Sequence, residues 1–179
     1  MTDDATAAPE RFQPPPRSFV DARDREIEIR TADDADCDAL VDMYAAYTDA
    51  DRAQGIPPRE RRDIDDWVAG LIDGGINLAA WHVDDSTDGD RAVGHAALMP
   101  YDDTAELVIF VHPDYHHAGI GSRLIRALLG AGQRAGLTHV WLSVQRDNHV
   151  AMNLYRSVGF ETTNRERSEH EMELDLVAE

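Results

Sequence analysis

Apolar residues along this chain recur in short alternating bursts and in runs spaced by three and four, and the switches between the two mark its elements. Phe19-Val20 and Glu26 to Arg30 alternate like strands around the turn-like Asp21-Ala22-Arg23-Asp24. From Asp33 to Tyr47, Leu40, Met43, Tyr44 and Tyr47 share one face, and aspartates crowd the first turn where the helix dipole favours them. A loop follows from Asp49 to Arg59, stiffened by Pro57-Pro58 and punctuated by Gly55. A second helix is predicted from Arg61 to Ile72, burying Ile64, Trp67, Val68, Leu71 and Ile72 and stopping at Gly74-Gly75. Next come strands at Asn77 to Val83 and Ala92 to Met99, joined by a polar hairpin loop, and a strand at Thr104 to Val111. A helix from Ile120 to Arg134 ends at Gly136, and a strand at His139 to Val144 leads to a short helix from His149 to Ser157 that ends at Gly159. Phe160 to Arg165 and His170 to Leu176 alternate as a closing hairpin. Residues 1–18, with Pro14-Pro15-Pro16, are too polar to order themselves and read as a disordered tail, leaving one domain over residues 19–179.

The most informative stretch is residues 104–130. Its strand stops at His112-Pro113, since proline removes a ladder donor, and the chain passes through Gly119-Ile120-Gly121 into a helix. Glycines let the backbone turn sharply and approach a ligand, and the first N–H groups of the helix, with its dipole, suit a phosphate or pyrophosphate. Ser122 can assist there. A third glycine at 124 would be needed for the dinucleotide fingerprint, and Leu124 stands there. The chain has no lysine, which excludes a P-loop.

Composition narrows the partners. A net charge of −18, carried mainly by aspartate and opposed only by arginine, argues against nucleic acid and anionic membranes. Aspartate-rich, lysine-free surfaces suit a salt-filled cytoplasm, so the acidity reads as halophilic adaptation; the rival is an acidic patch that attracts a cationic acceptor. One cysteine, Cys37, excludes an internal disulfide framework. No apolar run is long enough to span a membrane, the N-terminus is too acidic for a secretory signal, and a cytoplasmic protein, monomer or homodimer, is expected. His112, His116 and His117 lack the carboxylate or cysteine spacing that would complete a metal site, so no metal is expected.

Two motifs carry a resemblance. The stretch His116-His117-Ala118-Gly119-Ile120-Gly121, after a strand ending near Val-x-Pro, resembles the acetyl-CoA loop of the GCN5-related N-acetyltransferases, Gln/Arg-x-x-Gly-x-Gly/Ala. It departs at His116, where the family usually has glutamine or arginine; the loop holds the pyrophosphate mostly through backbone amides, so the main site should survive. Downstream, Asn148, Ala151, Tyr155, Gly159 and Phe160 match the more specific Asn-x-x-Ala-x-x-x-Tyr-x-x-x-Gly-Phe motif. The resemblance covers residues 26–176. It implies an α/β (α+β) single domain: a mixed, mostly antiparallel sheet with helices on both faces and a splayed parallel strand pair through which the pantetheine arm enters.

The chemistry implied is direct acetyl transfer from acetyl-CoA to an amine, with no covalent enzyme intermediate. That needs a neutral amine, a donor for the carbonyl oxygen and a proton for the departing thiolate. Tyr155 stands where the family has its general acid, its other reading being helix packing beside Leu154 and Val158. Asn148 bonds the pantetheine amide, caps the short helix, or does both. The oxyanion donor is expected from the backbone near Phe110, freed by a bulge, and Phe110 and Val111 are expected to contact the cofactor. Glu106, the only charged residue from Ala105 to Val111, is the candidate base, or else a strand-end residue facing solvent; His112 and His95 rank behind it. The expected acceptor is a protein lysine, with a protein N-terminus or small amine behind it. A non-catalytic acetyl-CoA sensor is the reading from another class.

Overall fold

In the computed structural model, residues 11–52, 56–85, 89–165 and 168–176 are described. Among them the alternating and apolar runs form eight strands: β1 (Arg17–Val20), β2 (Glu26–Thr31), β3 (Ile76–His82), β4 (Arg91–Tyr101), β5 (Thr104–Val111), β6 (His139–Gln145), β7 (Glu161–Arg165) and β8 (Glu169–Asp175). They make one sheet in the order β1-β2-β3-β4-β5-β6-β8-β7. Every neighbouring pair is antiparallel except β5 and β6, which run parallel and pair only through Thr104–His139, Ala105–Val140 and Glu106–Trp141. Beyond Glu106 the two strands part, which is the expected splay.

Helices α1 (Cys37–Ala45) and α2 (Arg61–Gly74) cover one face, and α3 (Ile120–Arg134) and α4 (His149–Val158) the other. The first core sets Leu124, Ile125, Leu128 and Leu129 of α3 against Ile27, Ile29, Leu78 and Leu98 of the sheet. The second sets Leu40, Tyr44, Ile64 and Val68 against Ala79 and Trp81. The aspartates before α1 act as anticipated, with one refinement. They form a capping box on a 3₁₀ turn, Asp34–Asp36, in which Asp33 accepts from the Ala35 N–H at 2.9 Å and Asp36 accepts from the Asp33 N–H at 3.1 Å.

The expectation of a tail over residues 1–18 needs correcting from residue 11 onward; residues 1–10 lie outside the described residues. Phe12 is 4% exposed and joins the α3 core, and its N–H donates to Gln133 Oε1 at 3.3 Å. The segment crosses α3 at Gly130, where a Cβ would stand 2.6 Å from the Pro14 nitrogen. One aromatic residue inside a proline-rich stretch is enough to anchor it, because a glycine on the helix opens the groove. β1 accordingly begins at Arg17, two residues before Phe19.

Under α1 lies a buried polar chain that apolar periodicity does not reveal. Asn77 donates through Nδ2 to the Leu71 carbonyl at 2.6 Å, so its Oδ1 accepts from His95 Nε2 at 2.9 Å. His95 Nδ1 is then free to accept from the Tyr44 hydroxyl at 2.7 Å. Every member is satisfied, and His95 is neutral: burial lowers its pKa to about 4. A histidine whose folded pKa lies below its unfolded value of about 6.5 stabilises the fold above that value and loses the contribution as pH falls towards 4. The difference corresponds to about 3 kcal/mol. Wild type should therefore lose about that much more stability than His95→Asn between pH 7 and pH 4, read from denaturant midpoints; parallel losses would show that His95 is not held neutral.

Candidate active site

The site is built where β5 leaves β6. Ladder parity decides which backbone groups face the gap. The His112 N–H donates to the Val93 carbonyl at 2.8 Å, and Gly94 pairs with Val111, so His95 and Phe110 form a hydrogen-bonded pair. The Phe110 N–H is thereby committed to β4, and the amides of Ile109 and Val111 point towards the gap. This corrects the expectation of a donor at Phe110 freed by a bulge. β5 holds continuous register with β4 throughout; the irregularity lies between β3 and β4, where Ala80 pairs with Gly94 and Trp81 with Ala92, leaving Val93 extra. Ile109 was missed because parity depends on the partner strand, which the β5 sequence alone does not carry.

Side chains sort to the two faces. Phe110 lies in an aromatic cluster with Tyr44 and Trp67, ring centroids 5.6 Å away in each case, and Tyr47 at 6.3 Å. Glu106 shares that face by alternation. It is half-buried, and among the described residues its carboxylate has no hydrogen-bond or ion-pair partner; burial raises its pKa from the ordinary carboxylate value. The Tyr47 hydroxyl is buried without a hydrogen-bond partner among the described residues. The loop after α1 is drawn in by Arg52, which donates to the Tyr47 carbonyl at 2.7 Å and to Pro57 and Pro58 carbonyls at 3.0 and 3.3 Å. Residues 53–55 of that loop lie outside the described residues.

On the opposite face Val111 packs towards α3, and the loop from β5 runs through a short turn, Pro113–Tyr115, to Gly119. Gly119 has a left-handed backbone, φ 83°, which favours glycine, and it caps α3 with no side chain in the way. The first turn of α3 carries no acidic residue, in a chain with 35 aspartates and glutamates, so its unpaired amides remain open to an anion. Gly121 is close-packed: a Cβ there would meet Leu154 at 3.2 Å and Val111 at 3.7 Å, so the residue lets α3 approach both α4 and β5. Ser122 is partly exposed in this turn, whereas Ala118 and Ile120 are buried and offer the site only their backbone. His116 donates from Nε2 to the Val111 carbonyl at 2.7 Å, and exposed His117 holds a left-handed backbone, φ 57°.

The loop is braced from the β1–β2 turn. The Ala22 N–H donates to the Ala118 carbonyl at 3.2 Å, and Arg25 stacks on Tyr115, 3.9 Å from its ring centre, while pairing with buried Asp21 at 2.7 Å. Asp21 takes backbone and side-chain hydrogen bonds from Arg23 and Arg25, and despite its burial its pKa falls below the usual carboxylate value. The tyrosine's hydroxyl bonds His82 Nδ1 at 2.8 Å.

Tyr155 of α4 is 9% exposed and packs against Phe160, ring centroids 5.9 Å apart. No hydrogen bond engages its hydroxyl among the described residues, and burial pushes its pKa up to about 12. Asn148 caps α4, accepting from the Ala151 N–H at 3.1 Å. The second-ranked bases are less suitable. Both His95 nitrogens are occupied, and His112, 4% exposed, spends Nδ1 on the Asp114 N–H at 3.1 Å while burial and Arg91 depress its pKa.

Gap amides, an open helix start and an unengaged phenol together suit a pyrophosphate-bearing thioester. The acetyltransferase (GNAT) family model matches residues 40–160. This chain belongs to that family and is an N-acetyltransferase of the GNAT type. It is 33% identical over 120 residues to the [ribosomal protein bS18]-alanine N-acetyltransferase of Escherichia coli K12, covering 67% of this chain and 75% of that one. To the L-amino acid N-acyltransferase MnaT of the same organism it is 26% identical over 146 residues, 76% of this chain and 81% of that one. It spans 36% of the length of the uncharacterized protein ML0378 of Mycobacterium leprae, at 30% identity. Among solved structures, yncA from Salmonella typhimurium with its cofactor acetyl-CoA has the same fold, with a TM-score of 0.66, 22% identity and coverage of 86% of this chain and 95% of that one.

Replacing Gly119 or Gly121 of this GNAT chain by valine should weaken CoA binding at least tenfold, the first by straining the turn and the second by forcing α4 away from α3. Calorimetric titration with CoA checks both, and unchanged affinity would undo the loop assignment.

Proposed function

We propose that this protein transfers the acetyl group of acetyl-CoA directly to the α-amine of a polypeptide or an amino acid. The cosubstrate supplies an activated thioester; the chain supplies position and protons. Amides of Ile109 and Val111 align the cosubstrate along β5, with the start of α3 and residues 116–122 receiving its pyrophosphate. Tyr155, kept protonated by burial, donates to the leaving thiolate from the α4 face. Glu106, on the α1 and α2 face with a raised pKa, takes the amine's proton directly or through water. The unpartnered Tyr47 hydroxyl beside Phe110 is a ready contact for the acceptor. Assay in molar potassium chloride suits the acidic surface, which we read as adaptation to a salt-filled cytoplasm.

A protein lysine was the acceptor expected from Glu106 and the loop at residues 54–58. Two considerations move the reading to the α-amine. Deprotonating a lysine of pKa near 10.4 at pH 7 costs about 4.6 kcal/mol, against about 1 kcal/mol for a polypeptide N-terminus near 7.8, and a single half-buried carboxylate suits the smaller task. The relatives also carry names of enzymes acting on ribosomal-protein alanine and on amino acids. Thiol release from alanine-starting peptides and free amino acids should exceed that from N-terminally blocked lysine peptides by at least tenfold; faster release from the blocked peptides would restore the lysine reading.

Tyr155→Phe should cut turnover by roughly tenfold to a thousandfold with little change in CoA affinity, and normal turnover would remove the acid role. Because burial raises the Glu106 pKa, activity should fall as pH drops through that raised value, and Glu106→Gln should flatten this acidic limb. An identical limb in the variant would assign it to another group.

A further inference from the structure

Away from the gap, between the 11–19 segment and the outer side of α3, lies a concavity of about 380 Å3 lined by Arg11, Arg17, Arg123 and Arg126 with Phe12 and Phe19. Among the described residues no acidic side chain lines it, although the chain carries 35 aspartates and glutamates against 17 arginines. Among the described residues, none of the four guanidiniums lies within salt-bridge distance of a carboxylate. Four converging cations with no counter-charge among the described residues repel one another, and an acidic surface offers many ways to neutralise them. Their arrangement is instead preorganised. Arg11 stacks over Phe12 at 5.2 Å and Arg123 over Phe19 at 4.5 Å. Arg11 donates to the Asp175 carbonyl at 3.2 Å, Arg123 to Gly119 at 3.2 Å, Arg126 to Ser157 at 3.0 Å, and Arg17 to the Gln13 side chain. Each is oriented by a neutral acceptor and, among the described residues, keeps most of its five N–H donors free, which is the geometry that grips phosphate oxygens.

We infer that this concavity binds a phosphate group of a small molecule, as a site separate from the amides that open α3. Arg123 links it to the cofactor loop through the Gly119 carbonyl, so occupancy here steadies the turn on which CoA binding rests. Two sources share the chemistry: the 3′-phosphate of CoA itself, or a free phosphorylated ligand bound beside the cofactor.

The test uses the whole protein, the double variant Arg17→Ala/Arg126→Ala, and Arg165→Ala as an exposed arginine outside the concavity, all at one salt concentration with melting curves to confirm folding. CoA and 3′-dephospho-CoA are titrated into each, and sodium pyrophosphate into each protein saturated with CoA. If the cofactor is the source, loss of the 3′-phosphate weakens binding to wild type at least tenfold and to the double variant less than twofold. If the source is free, CoA-saturated wild type and Arg165→Ala bind one equivalent of pyrophosphate and the double variant binds none. The site is overturned if the double variant matches wild type in both titrations, or if Arg165→Ala loses as much as the double variant. Pyrophosphate titration of the cofactor-free proteins keeps a failure of this site distinguishable from a failure of the acetyl-transfer reading.

Discussion

Two parallel strands that pair for three residues and then separate leave backbone groups with no ladder to join, and the functional half of this protein follows from that separation. β6 follows β8, with which it pairs along its whole length, while β5 follows β4. The wedge between them opens beside Glu106, the last paired residue, and its walls are the amides of Ile109 and Val111. A cleft made in this way has two mouths, one on each face of the sheet. The aromatic cluster of Tyr44, Tyr47, Trp67 and Phe110 borders one; α3, α4 and Tyr155 border the other. An acceptor and a cosubstrate can thus approach from opposite sides and meet where the strands part.

Keeping such a wedge open is costly, because a backbone group removed from water without a partner loses about 1 to 3 kcal/mol. Part of the cost is offset locally, with His116 reaching back to the Val111 carbonyl. The rest depends on bracing from outside the gap. The β1–β2 turn supports the loop before α3 through Asp21, Arg25 and Tyr115, and Arg52 gathers the opposite loop under three carbonyls. These arginines sit on rings or on buried acceptors, so the bracing survives salt that would screen exposed pairs.

How much of this was legible in the sequence depends on whether the cause is local. The strand, loop and helix at residues 104–134 fall where the pattern of Leu107 to Val111, Pro113, Gly119 and Leu124 to Leu129 puts them, since each signal acts within a turn or two of itself. The splay was legible only through the family resemblance, because nothing in β5 or β6 alone forbids continued pairing. Non-local facts stayed hidden. Phe12 is buried because Gly130, far along the chain, leaves it room. Ile109, rather than Phe110, faces the gap because β4 sets the parity. His95 looks like a base in the sequence and is instead a neutral link between Asn77 and Tyr44.

The distribution of charge adds a constraint that net charge conceals. Acidic residues occupy the first turns of α1 and α2, where the dipole rewards them, yet the first turns of α3 and α4 have none. Had acidity been spread only to suit salt, the start of α3 would have been as favourable a place as any. Its exclusion there, together with arginines gathered along the same helix, sets a local positive potential against a strongly negative whole. An anionic cosubstrate meets repulsion over most of this surface and attraction at the loop.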